Sequence, residues 1–121
     1  YPLIADLDQK VSQKYGLLHP GESQTATVRA VFVIDPARKV RALVYYPLNV
    51  GRNLDEVERL VEALQTSDAH SVACPVNWTP GDKVIVPPPK TEAEVEERKN
   101  GGYEMIDFYL SKKSLPSDSL A

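Results

Sequence analysis

Between residues 27 and 46 the chain reads TVRAVFVID-PARK-VRALVYY, and no other stretch restricts its fold as strongly. Two runs rich in β-branched and aromatic residues flank a turn, and Pro36 presets one backbone angle of that turn. This is the pattern of a β-hairpin. In the first run, Val28, Ala30, Phe32 and Ile34 alternate with Val31 and Val33. Both faces are apolar beyond Arg29, which predicts a strand at 27–35 covered on both sides. The turn is expected at 36–39 and the return strand at 40–46.

A helix is expected next, over residues 53–65 (NLDEVERLVEALQ). Leu54, Val57, Leu60, Val61 and Leu64 fall on one face, while Asp55, Glu56, Glu58, Arg59 and Glu62 take the wet side. Asn53 followed by Glu56 fits a capping box. A hairpin followed by an amphipathic helix gives a mixed sheet-and-helix domain. Upstream, residues 1–5 (YPLIA) read as a short apolar strand. A helix capped by Asp6 or Asp8 then runs to Tyr15 and ends at Gly16. An apolar, proline-containing opening suits a strand entering a core, so more of the parent protein is expected before Tyr1.

After residue 70 the prolines at 75, 80, 87, 88 and 89 predict a long extended arm. Within it, 83–86 reads as a short strand. A small acidic surface helix at 91–99 starts with Thr91 and Glu94 and stops at Gly101-Gly102. Residues 103–110 are expected to pack back, and 111–121 to fray. Val72, Val76, Trp78, Val84, Ile85 and Val86 need a surface, either in this chain or in a second subunit.

Composition removes several function classes. Fourteen basic and seventeen acidic side chains among 121 residues give a net charge of -3. That leaves no basic excess for nucleic acid. No apolar run approaches the ~20 residues that span a bilayer. One cysteine, Cys74, cannot form an internal disulfide framework or a cysteine-rich zinc site, and it is compatible with a reducing compartment. His19 and His70 lack metal-ligand spacing, so neither a metal nor a cofactor is expected. His70 is placed to meet the carbonyl end of the helix.

Two polar side chains could carry chemistry. Arg52 stands before the main helix. Its guanidinium could orient an oxygen-rich substrate or lower a thiol's pKa, or it could simply be solvated. Cys74 precedes Pro75 with no local cation. It reads as a buried or incidental thiol, with redox or metal roles as the alternative. Trp78 reads as a packing anchor, and Tyr45-Tyr46 as a core or subunit contact.

The pieces TVRAVFVIDP (27–36), YYP (45–47), GRN (51–53), PVNWTPGD (75–82) and VIVPP (84–88) occur in an order that resembles the one-cysteine peroxiredoxins of the peroxiredoxin-6-like subfamily. The opening YPLIADLDQKVSQKYGLL resembles the family segment leading into its later strands. The similarity runs over nearly all of residues 1–110. It implies a thioredoxin-like α/β fold, with its C-terminal part at 1–66 and a C-terminal dimerisation arm and tail at 67–121. It also implies a thiol-dependent peroxidase reducing hydrogen peroxide and organic hydroperoxides. In that chemistry a peroxidatic thiolate becomes a sulfenic acid and an external thiol reductant restores it.

By this resemblance Arg52 matches the family's later arginine, which stabilises the thiolate and the peroxide oxygens. The family's Pro-x-x-x-Thr-x-x-Cys motif is not in the chain, and Cys74 does not match it. The resemblance therefore puts the reacting cysteine upstream of Tyr1 and implies that this chain alone is inactive. It further implies a cytoplasmic homodimer or higher homo-oligomer, with Val40, Ala42, Leu43, Val44, Tyr45 and Trp78 at the dimer interface. The alternative is a non-catalytic assembly module.

Overall fold

Asp6 sets the first regular structure. Its backbone is left-handed (φ 46°), and its carboxylate accepts hydrogen bonds from the Val11 and Ser12 amides at 2.9 and 2.8 Å and from the Ser12 hydroxyl. Those amides belong to the first turn of helix α1, Lys10–Lys14. Amides at a helix start have no partner within the helix, and here a side chain several residues upstream supplies one. The helix starts later than the sequence predicts because Gln9 is also left-handed. Gly16, at φ 65°, ends it as expected.

The computed structural model describes residues 1–23 and 26–116, and the chain forms two compact units, Tyr1–Leu54 and Asp55–Ala121. In the first unit, residues 1–5 are exposed coil rather than the expected strand. No strand among the described residues pairs with them.

The hairpin forms as the sequence dictates. Strand β1, Arg29–Ile34, pairs antiparallel with β2, Val40–Tyr46, with Arg29 opposite Tyr46 and Phe32 opposite Leu43. Asp35 closes the turn: its carbonyl accepts from the Arg38 amide and its carboxylate from the Lys39 amide, both at 2.9 Å. Arg38 takes the left-handed position (φ 64°), and the register shifts between Val33 and Ile34. A three-residue loop with a bulge produces this geometry. The expected cover on both faces of β1 is only partial. Ala30 to Val33 are half-buried in a sheet of two strands.

In the second unit, helix α2 is Leu54–His70. It outruns the expected 53–65 because Thr66-Ser67-Asp68 carries no apolar period. Thr66 is nevertheless buried, and the Ser67 hydroxyl donates to the Val72 carbonyl at 2.6 Å, tying the helix end to the next segment. Strand β3, Val84–Val86, helix α3, Glu92–Asn100, and strands β4, Glu104–Asp107, and β5, Leu110–Lys113, complete the unit. The sheet order is β3-β5-β4 and both pairings are antiparallel.

Two expectations fail here. Residues 111–113 are not a frayed tail but part of the central strand, with Ser111 wholly buried. A polar Ser-Lys-Lys run hides this, because its burial comes from pairing on both edges rather than from hydrophobicity. Of that expected tail, residues 117–121 lie outside the described residues. Nor is the arm merely extended. Val72, Trp78 and Val84 form a core of their own, with Ala63, Cys74 and Leu115 packed against it. Of the residues expected to need a surface, Val72, Trp78 and Val84 are buried and Ile85 and Val86 half-buried, whereas Val76 is 88% exposed.

Candidate functional site

Strand β1 and the loop before α2 meet at two arginines. Arg52 donates from Nε (3.4 Å) and Nη2 (3.2 Å) to the Ala30 carbonyl on β1. Arg29, next to Ala30, lays its guanidinium against Gly51, next to Arg52. A methyl group at Gly51 would stand 4.0 Å from Arg29 Nη1. Arg52 is thus bonded beside Arg29, and Arg29 lies near the residue beside Arg52 without a bond to it. Arg52 spends two donors inside the protein. Among the described residues no side-chain hydrogen bond engages Arg29, which is exposed.

Two guanidiniums in one neighbourhood repel unless an anion lies between or near them, so such a place favours a carboxylate, a thiolate or an oxyanion. The sequence pointed to Arg52 alone. In the sequence Arg29 reads only as the polar end of a strand; in the fold it lies directly opposite Tyr46.

Cys74 lies elsewhere, in the second unit. Its thiol is half-buried and points at the Ala63 carbonyl, 3.5 Å away. Burial pushes its pKa up, and the Arg59 charge opposes this more weakly. Arg59 is itself committed: Nε and Nη2 bind Glu56 at 2.6 and 2.8 Å, and Nη1 binds the Trp78 carbonyl at 3.0 Å. A thiol held protonated beside an occupied arginine is a poor nucleophile.

The residues expected at a subunit contact divide. On β2, Val40, Leu43 and Tyr45 are 50%, 50% and 41% exposed, whereas Ala42 and Val44 are half-buried. Tyr45 also works within its unit. Its hydroxyl donates to the Tyr15 carbonyl at 3.1 Å, and its ring lies edge-on to Phe32 with centroids 5.9 Å apart. A cleft of about 200 Å³ opens beside it, lined by His19, Glu22, Val28, Tyr45, Tyr46 and Pro47. Trp78 is 1% exposed inside the second unit's core. Among the described residues, no group of three or more His, Cys, Asp or Glu could hold a metal, and no helix is long and apolar enough to cross a membrane.

Comparison with known proteins gives the family. Residues 63–101 match the C-terminal domain of 1-Cys peroxiredoxin, and residues 1–43 match the AhpC/TSA family. A peroxiredoxin from Aquifex aeolicus is 48% identical over 125 residues, which cover 95% of this chain and 56% of the relative. The chain belongs to the peroxiredoxin family. A peroxiredoxin from Ignicoccus hospitalis is also 48% identical, over 99% of this chain and 52% of its own.

Among solved structures, a cysteine-to-serine mutant of the peroxiredoxin 6 of Arenicola marina superimposes with a TM-score of 0.82. It is 32% identical, over 97% of this chain and 57% of its own. The yeast mitochondrial 1-Cys peroxiredoxin gives 0.74 at 37% identity, over 88% and 53%. The α/β fold of this peroxiredoxin chain is thus that of the thioredoxin-like peroxiredoxins. The chain spans about half the length of the curated relatives it matches.

Proposed function

We propose that the parent protein is a thiol-dependent peroxidase whose nucleophilic cysteine lies upstream of Tyr1, and that Arg29 and Arg52 form its cationic site. The proximity of these two arginines, one bonded to Ala30 and the other near Gly51, carries the reading, and family membership supports it. In the reaction a thiolate sulfur attacks one peroxide oxygen. The S–O bond forms as the O–O bond breaks, and the departing oxygen leaves as hydroxide or alkoxide and takes up a proton. The cysteine becomes a sulfenic acid, and two thiols of an external reductant return it to the thiol with loss of water. Negative charge thus begins on sulfur and ends on oxygen. Fixed guanidinium donors near that path stabilise both ends.

Within the pair the roles divide. Arg29 has the donors to touch sulfur or peroxide. Arg52, tied to Ala30, adds charge and holds the neighbouring backbone. In the intact parent, Arg29→Ala should cut peroxide consumption about a hundredfold, and Arg52→Ala about tenfold. Arg52→Ala should also move the pH profile of thiol alkylation upward, which a merely structural loss would not do. Unchanged rates in both variants would sink the assignment. The 121-residue chain alone should consume no peroxide. If it does, and Cys74→Ser abolishes the activity, the nucleophile is Cys74 instead.

The same reading makes the parent a homodimer through β2. The outer edge of that strand is unpaired among the described residues, and Val40, Leu43 and Tyr45 expose apolar surface along it. Ala42 and Val44 complete the strand's interface, and Trp78 contributes by holding the arm in shape. Edge-to-edge pairing removes the open hydrogen-bonding groups. Sedimentation of the parent at micromolar concentration should give a dimer, and a strict monomer would refute it. We also propose a cytoplasmic location, which cell fractionation would check.

A further inference from the structure

Asn100 and Gly101 stand together at the end of helix α3, and the chemistry of that pair is not used by the site above. Four asparagines occur in the sequence. Val50, Leu54 and Trp78 follow Asn49, Asn53 and Asn77, and only Asn100 precedes a glycine. We propose that Asn100 is a self-modification site, at which spontaneous deamidation in the folded protein loosens the end of α3.

The step needs no catalyst and no reactant beyond water. The Gly101 amide nitrogen gives up its proton and attacks Asn100 Cγ, a new N–C bond closes a succinimide ring, and the Cγ–Nδ2 bond breaks as Nδ2 takes up a proton and leaves as ammonia. Water then opens the ring at either carbonyl, leaving aspartate or isoaspartate. A side chain on the following residue obstructs the attack, and glycine has none.

Two hydrogen bonds restrain both reacting groups. Asn100 Nδ2 donates to the Glu96 carbonyl at 3.0 Å, and the Gly101 amide donates to the Arg98 carbonyl at 3.3 Å. Both must open before ring closure. What holds them is slight: no residue of α3 is buried, and Asn100 and Gly101 are exposed. Such a helix end opens easily.

The glycine is fixed by packing. A methyl group at Gly101 would lie 2.7 Å from Tyr103 Cε2 and 3.2 Å from the Glu97 carbonyl. Gly102 follows at φ 74°, where a side chain is strained as well. The turn therefore disfavours a side chain at 101, which would obstruct the attack. Arg98, which lies over the Tyr103 ring at 5.8 Å, belongs to the same packing.

The products weaken this end. Aspartate loses the donor to Glu96 and adds negative charge where the helix carbonyls already point, although Arg98 and Lys99 in the last turn offset part of it. Isoaspartate lengthens the backbone by one atom and displaces Gly101 from Tyr103.

The test incubates the 121-residue chain in mildly alkaline buffer, with and without denaturant, followed by peptide mass mapping. The Asn100 peptide should gain one mass unit, split between aspartate and isoaspartate, while those of Asn49, Asn53 and Asn77 do not change. Denaturant should raise the rate about ten- to a hundredfold, the protection that two exposed hydrogen bonds supply. Asn100→Gln should remove the mass gain, and amide exchange over 92–103 should be faster in the modified chain than in that variant. The proposal fails if Asn100 in the folded chain deamidates no faster than the other three. It fails equally if denaturant leaves the rate unchanged, or if the modified chain exchanges no faster.

Discussion

Replacing Trp78 by alanine should remove a large share of the second unit's stability. The indole is buried with Val72 and Val84, and its Nε1 donates to the Asp82 carbonyl at 3.1 Å. A buried tryptophan cut to alanine costs about 3–5 kcal/mol in transfer and cavity terms. That range includes the lost Nε1 bond, worth about 1 kcal/mol net. Trp78→Phe keeps most of the apolar body and drops the donor, so about 1–2 kcal/mol is expected. The backbone bonds of residue 78, from its amide to Pro75 and from Arg59 to its carbonyl, survive both changes. Against a typical total of about 5–15 kcal/mol, the alanine variant becomes marginal and the phenylalanine variant does not. Urea unfolding followed by far-ultraviolet circular dichroism measures the difference. Exchange of the paired Ala73 and Ile85 amides, bonded at 2.9 and 2.8 Å, localises it. An alanine variant within about 1 kcal/mol of the parent, below the range that buried tryptophan truncations give, would refute the reasoning.

Glu56, Glu104 and Asp6 are held below the usual carboxylate range by Arg59, Lys83 and Ser12, respectively. Folded values that are depressed add stability above the unfolded carboxylate range and lose it as pH falls through the folded values. Glu56→Gln should therefore be less stable than the parent near neutral pH, with a deficit that closes on acidification; a deficit independent of pH would show that the Arg59 pair is not its source. Cys74, pushed up by burial, should react with alkylating agents more slowly than a free thiol, with its inflection shifted to higher pH. A fast reaction at neutral pH would contradict the protonated thiol. Thr91→Ala removes the acceptor of the Glu94 amide at the start of α3, where the bond is long at 3.3 Å and exposed. The cost should be about 0.5–1 kcal/mol by denaturant unfolding or a matching rise in exchange of the Glu94 amide.

How far the sequence revealed the molecule depends on what each segment's order rests on. The hairpin was legible because β-branched alternation and the Pro36 turn are local signals, and only the bulge at Arg41 escaped. The α2 start was legible from its apolar stripe. Its last turn was not, because Thr66 and Ser67 are ordered by contacts and bonds with no period. Strand β5 was invisible for a related reason, since Ser111 is buried by neighbours on both sides rather than by its own chemistry. The strand expected at 1–5 failed in the opposite way: Leu3 and Ile4 have the composition of a strand, but no described strand pairs with them. Of the candidate site, Arg52 could be found from its motif. Arg29 sits in a matching piece too, but only the folded chain shows it near Gly51, beside Arg52.

Trp78 is the chain's one tryptophan, and it sits in the second unit's core. The aromatic side chains of the first unit are tyrosine, phenylalanine and histidine. Light absorbed by indole alone therefore reports on one unit and is blind to the other. Its emission should lie toward the blue in the native chain and move to the red when the arm opens. Circular dichroism recorded in the same titration sees both units. The two traces together would show whether hairpin and arm melt as one or in sequence, with no label added to the protein.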